Sequence, residues 1–223
     1  MLWRTSSPRF RRDPPADFIT PCNPKLVSRP PAGPGWRHEI KHDGFRILAR
    51  KQGERVTLWT RRGADYTGKL SGIAEAVRAL SADEALIDGE AVVFRTDGRS
   101  DFKALLTKRG GAKATLVAFD LLRLNREDLR LQPIEARRGA LLRLVAGTDG
   151  ILFSETLAAE GAIVFAKACE LGLEGVVSKR ASSLYRSGRS RSWLKAKNPD
   201  FVNVTEGRGR ARLKPYVHVS QVP

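Results

Sequence analysis

The side chains best suited to chemistry fall in five short stretches of the chain. EIKHDGFR places one lysine, Lys41, at the end of a predicted strand and just before a turn at Asp43 and Gly44, a rigid mount for a reactive amine. LIDGEAVV puts Glu90 at the start of a strand after a second Asp-Gly pair. FDLL puts Phe119 and Asp120 at the end of an apolar strand. EGVVSK puts Glu174 before an apolar strand and Lys179 at its far end. WLKAK sets Lys195 and Lys197 two residues apart, hence on one face if extended. A lysine amine attacks only when neutral, and with a reference pKa of about 10.4 roughly one in a thousand is neutral at pH 7. Neighbouring cations and partial desolvation favour that form. Glutamates are hard oxygen ligands suited to Mg²⁺. Taken singly, each stretch has a plainer reading: a hairpin with a solvated lysine, solvated strand ends, a core phenylalanine, a surface stripe of lysines.

The elements that must position these groups follow from pattern. WRHEIK reads as a strand, Asp43 and Gly44 as a turn, and FRILARK as the next strand, since an Asp-Gly pair between alternating runs signals a hairpin. VTLWT follows at hairpin spacing. Leu70, Ile73, Val77 and Leu80 predict a helix over 69–80. ALIDGEAVVF reads as strand–turn–strand, and SDFKALL as a short helix capped by Ser100 or Asp101. TLVAFDLL and EGVVSKR read as strands. One helix starts at Pro133 and runs to about Ala146, and AAEGAIVFAKACELG gives another ending near Gly172. The prolines of PCNPKLVSRPPAGPGW oppose helix and suggest an extended lead-in. Strands and helices mix without a regular βαβ rhythm, so the fold class is α+β with mainly antiparallel sheets.

Composition narrows the function classes. A chain of 223 residues with 41% hydrophobic residues can build one sizeable core, with extensions. Lys and Arg number 40 against 24 Asp and Glu, a net charge of +16 that favours a polyanionic partner such as nucleic acid. The plainer alternative is a solvated basic surface. Cys22 and Cys169 lie far apart and, with His38, His42 and His218, form no zinc spacing; a reducing cytoplasm is the natural setting. No apolar stretch is long enough to span a bilayer, and no apolar segment follows the basic N-terminus to make a signal peptide.

In this order the motifs resemble those of the ATP-dependent ligase and mRNA-capping nucleotidyltransferases. The likeness runs from about Phe18 to Lys197 and is nearest to bacterial DNA ligases of the non-homologous end-joining type. It is carried by PPAGPGWRHEIKHDGFR, TRRGADYT, ALIDGEAVVF, FDLL with EDLR, LEGVVSKR and SLYRSGRSRSWLKAK. Arg62 stands where the end-joining ligases usually carry Asn. The resemblance implies the nucleotidyltransferase fold and an adenylation domain over 18–199. It leaves 1–17 as a flexible basic extension and 200–223 as a basic tail, too short for the OB-fold domain that usually follows.

The resemblance also implies roles. Lys41 would attack ATP, release pyrophosphate and carry AMP as a phosphoramidate. AMP would then pass to a DNA 5′-phosphate at a nick or break, and a 3′-hydroxyl would displace it. Glu90 and Glu174 would hold Mg²⁺. Glu39 would contact the adenine amino edge and Phe119 would stack on its face. Arg46 and Arg61 would hold sugar and phosphate, with Lys179 near the α-phosphate. Lys195 and Lys197 would serve the triphosphate and departing pyrophosphate, and with Arg46 and the metal favour the neutral amine. Asp43 with Gly44, and Asp88 with Gly89, would shape the turns presenting Lys41 and Glu90. An OB-fold domain or end-binding protein in trans is a candidate partner. Two alternatives stand beside this: a nucleic-acid-binding relic that has lost turnover, and an RNA ligase or GTP-using capping enzyme.

Overall fold

The computed structural model describes residues 18–202, so the expected extension at 1–17 and residues 203–223 of the expected tail lie outside the described residues. Strand β1 (Cys22–Val27) is followed by β2 (Trp36–Ile40), β3 (Phe45–Gln52), β4 (Arg55–Thr60), helix α1 (Ser71–Arg78) and β5 (Glu84–Val92). Then come α2 (Phe102–Leu105), α3 (Lys108–Ala112), β6 (Thr115–Leu124), β7 (Glu127–Asp128), α4 (Ile134–Val145), β8 (Ile151–Phe153), α5 (Gly161–Glu170), β9 (Gly175–Arg180) and β10 (Gly188–Lys197). One sheet has the order β1-β10-β9-β2, and the other β4-β3-β5-β6-β7 with β8 on β6. Most pairs are antiparallel, as expected for this α+β class; β1 with β10 and β6 with β8 are parallel.

Alternation along the strands sorts the core into layers. On β3, Ile47 and Ala49 face a cluster shared with Ile73 and Val77 of α1 and Leu141 of α4. Leu48 faces the other way, toward a second cluster with Cys22, Trp59, Leu122, Tyr185 and Trp193. That second cluster joins the inner faces of the two sheets, and Phe119 packs on it. Helix α5 covers the first sheet through Val164, Ala168 and Val176. Burial of each such valine, leucine or isoleucine contributes roughly 1.5–3 kcal/mol.

Two expectations based on Asp-Gly pairs are corrected. The turn at Asp43 and Gly44 does not close a hairpin: β2 pairs with β9, whereas β3 pairs with β4 and β5. The segment is a crossover between sheets. Gly44 is required there because a Cβ would overlap the carbonyl oxygen of Ala91 on β5. The second pair is no turn at all, since Asp88 and Gly89 lie inside the continuous β5, and Glu90 is a mid-strand residue, not a strand start. Asp88 is fully buried but satisfied by Arg46 and Tyr185, and a Cβ on Gly89 would come 2.7 Å from the Leu116 side chain. Phe119 and Asp120 likewise lie within β6, not at its end.

Local signals for helices hold. Asp101 caps α2, accepting from the Ala104 N–H at 2.9 Å. Helix α1 is shorter than 69–80, but Leu70 and Leu80 flank it and remain buried. Helix α4 begins after Pro133, and α5 ends just before Gly172, whose φ of +66° suits glycine. The lead-in contributes β1, whose Pro24 is tolerated because the strand is at a sheet edge and its register slips there.

Candidate active site

The crossover between sheets delivers Lys41. Its backbone N–H donates to the Gly175 carbonyl at 2.9 Å, which fixes the end of β2 against the start of β9. Its Nζ donates to Glu174 Oε2 at 2.5 Å; the lysine side chain is 21% exposed, so the amine is reachable. Lys197 Nζ stands 3.8 Å from the other Glu174 oxygen. Beside Glu174, Gly175 has φ +144°, and a Cβ there would overlap the Ala196 carbonyl, so glycine lets β9 start tight against β10.

The floor of the adjoining pocket is a buried ion cluster. Glu39 accepts from Lys179 Nζ at 2.9 Å, Arg138 Nη1 at 3.0 Å and Ser154 Oγ at 2.8 Å. Lys179 lies 4.5 Å from the Phe119 ring centroid and 4.3 Å from that of Trp193. Burial lowers its pKa and Arg138 adds to that, against the pull of Glu39. On the opposite wall Arg46 grips Asp88 bidentately, Nε to Oδ1 at 2.7 Å and Nη2 to Oδ2 at 2.6 Å. Its guanidinium carbon is 4.9 Å from the Phe119 centroid. Burial would lower the Arg46 pKa, but the Asp88 carboxylate more than offsets it and keeps the group charged.

Glu90 faces the same space from β5. Burial, reinforced by Glu174, pushes its carboxyl up to about 7 despite Lys41 and Arg46. Lys195 is held below the usual lysine range by burial and then by Lys41, Arg61 and Lys197. One pocket is therefore lined by Glu39, Lys41, Arg46, Arg61, Glu90, Phe119, Lys179 and Lys195. Glu174 and Lys197 are not among its lining residues and connect to it through Lys41. All ten expected site residues are thus brought into one neighbourhood, with an aromatic face, the Lys41 amine, the three carboxylates of Glu39, Glu90 and Glu174, and several further cations. Among the described residues no three His, Cys, Asp or Glu side chains could hold a metal by themselves.

Residues 25–197 match the family model described as the ATP dependent DNA ligase domain. The chain belongs to this DNA ligase family. The ligase chain is 40% identical over 211 residues to the multifunctional non-homologous end joining protein LigD of Pseudomonas aeruginosa, covering 90% of this chain and 25% of that protein. It is 33% identical over 177 residues to the multifunctional non-homologous end joining DNA repair protein LigD of Mycobacterium tuberculosis, covering 79% and 23%. It therefore spans about a quarter of the length of these relatives. The crystal structure of the ligase domain of M. tuberculosis LigD superposes with a TM-score of 0.67 at 31% identity, covering 80% of this chain and 60% of that one. The Chlorella virus DNA ligase-adenylate, at 17% identity and TM-score 0.57, covers 80% and 67% and shares the fold.

Several residues of this candidate site were not singled out from sequence. Arg138 carries the clearest missed signal. Ile134, Arg137, Arg138, Leu141 and Val145 form the buried stripe of α4, so two arginines occupy core positions of a helix. A buried arginine needs a carboxylate. Arg137 finds Asp120 with two bonds of 2.8 Å, and Arg138 finds Glu39. Trp193 and Tyr185 lay within quoted motifs, but nothing local marks their contacts with Phe119 and Asp88.

Proposed function

We propose that this chain takes AMP from ATP onto Lys41, transfers it to a DNA 5′-phosphate, and promotes sealing by a 3′-hydroxyl. The carrying observation is the reachable Lys41 amine, aimed by Glu174, on a pocket shared by Phe119 and the cations Arg46, Arg61 and Lys195. The adenine stacks on Phe119. Glu39 meets the adenine amino edge most cheaply by exchanging Ser154, the one neutral donor on it, because a hydroxyl rotates away more easily than a buried cation leaves.

Attack by Lys41 Nζ on the α-phosphorus forms a P–N bond and breaks the bond to pyrophosphate. Lys195 and Lys197 with Arg61 meet the phosphate charge that develops. Arg46 also holds the sugar, and Lys179 lies toward the α-phosphate. Glu90 and Glu174 would hold Mg²⁺, which supplies further neutralisation of the phosphates. The donor set fits this ion. It offers two hard carboxylates, one raised to about 7 chiefly by burial and so eased by a cation, and magnesium commonly takes its remaining ligands from substrate and water.

Incubation with ATP labelled at the α-phosphate tests the reading. Label is expected to survive denaturing electrophoresis on the wild type and to be absent from Lys41→Ala. GTP should not replace ATP, and nicked duplex should discharge the label. Folded wild type that takes no label would instead be a DNA-binding relic. Label that nicked duplex cannot discharge would point to a needed OB-fold domain or end-binding protein in trans.

A further inference from the structure

Tyr185, in the connection between β9 and β10, is 5% exposed and does not itself line the pocket. Its hydroxyl donates to Asp88 Oδ2 at 2.6 Å and accepts from the Cys22 N–H at 2.9 Å. Its own N–H donates to the Arg130 carbonyl at 2.9 Å. Its ring stands edge-on to Trp193, with centroids 5.8 Å apart at 90°, and Trp193 stands edge-on to Phe119 at 6.0 Å. Two routes therefore run from this residue to the pocket. One passes through Asp88 to Arg46, the other through Trp193 to Phe119.

Both routes are stiff. Asp88 is fully buried, and its carboxylate takes Arg46 Nε, Arg46 Nη2 and the Tyr185 hydroxyl. Removing the hydroxyl would leave the Cys22 N–H without its acceptor and Asp88 without its third donor. The guanidinium plane of Arg46 depends on that carboxylate, because a bidentate pair fixes orientation as well as distance. Burial and Asp88 hold the phenol well above its usual pKa, so it remains a donor.

We infer that Tyr185 is a positioning residue for the nucleotide, orienting Arg46 through Asp88 and the Phe119 face through Trp193 without touching ATP. The inference rests on the proposed reading of the pocket as an ATP site. Loss of a residue that only shapes ground-state grip raises KM and spares kcat. Tyr185→Phe keeps the ring against Trp193 and removes only the hydroxyl, so it isolates the Arg46 route in a folded chain. Tyr185→Leu removes both routes.

Lysyl-AMP formation should show the KM for ATP rising about tenfold in Tyr185→Phe with kcat within about twofold, the scale of one lost hydrogen bond to a charged group. Tyr185→Leu should raise it further. Ile73→Val, in the cluster on the other face of the second sheet, should lower Tm and leave KM unchanged. Tyr185→Phe with wild-type KM overturns the inference, as does an equal KM rise in Ile73→Val. Wild type that neither binds ATP in calorimetry nor takes AMP overturns the ATP-site reading and this inference together, whereas working wild type beside an unaltered Tyr185→Phe overturns only the role of Tyr185.

Discussion

Next to the proposed nucleophile Lys41 sits a residue whose protonation should show in stability. His42 is edge-on to Phe94, with centroids 5.7 Å apart, and burial followed by Lys41 lowers its pKa from 6.5 to about 4. Between those values the unfolded chain binds a proton that the folded chain refuses. The contribution of neutral His42 is therefore complete above 6.5 and is lost as pH falls toward 4. About 2 kcal/mol should go between pH 7 and 5. Urea unfolding of wild type and His42→Phe at both pH values should show the wild type losing that much more; parallel losses would mean that His42 is not held neutral. Residue types able to do chemistry were legible because Lys41, Glu90, Glu174 and Phe119 occupy motifs a few residues long. Their partners were not: Arg46 to Asp88 and Glu39 to Arg138 join residues 42 and 99 apart.

Elements placed by local chemistry were read well, and so were the strands and the β3–β4 hairpin; what the two Asp-Gly pairs do was not. The Asp101 cap and the Gly172 stop depend on neighbours in sequence. Whether an Asp-Gly pair turns or stays extended depends on what lies across the sheet. Asp88 stays in β5 because Arg46 and the Tyr185 phenol donate to its carboxylate there, and nothing in LIDGEAVV reveals them. The crossover at Gly44 gives a direct test. An added methyl must push β3 from β5 at Ala91 and so shift the bend that carries Lys41. Gly44→Ala should cost about 1–3 kcal/mol in urea unfolding, the usual scale of overpacking, and slow lysine labelling at least tenfold. Labelling at the wild-type rate would detach the placement of Lys41 from this close approach.

Over the whole chain, the α+β class and the mainly antiparallel pairing followed from the unsteady mixture of strands and helices. The division into two face-to-face sheets did not, because Leu48 and Trp193 meet only once both sheets exist. Net charge, in contrast, needs no fold. At +16, binding to nicked duplex should weaken at least tenfold between about 50 and 200 mM salt, since each phosphate contact releases counterion. Salt-independent affinity would remove electrostatics as the source of DNA attraction. Among the described residues no helix is long and apolar enough to cross a membrane.

The central claim concerns which amine becomes AMP-bearing, because Lys179, Lys195 and Lys197 stand in the same neighbourhood as Lys41. Mass spectrometry of proteolytic peptides after incubation with ATP and Mg²⁺ decides among them. The adduct is expected on the peptide containing Lys41 and on no other lysine. An adduct on Lys179, Lys195 or Lys197 while Lys41 stays unmodified would contradict the account.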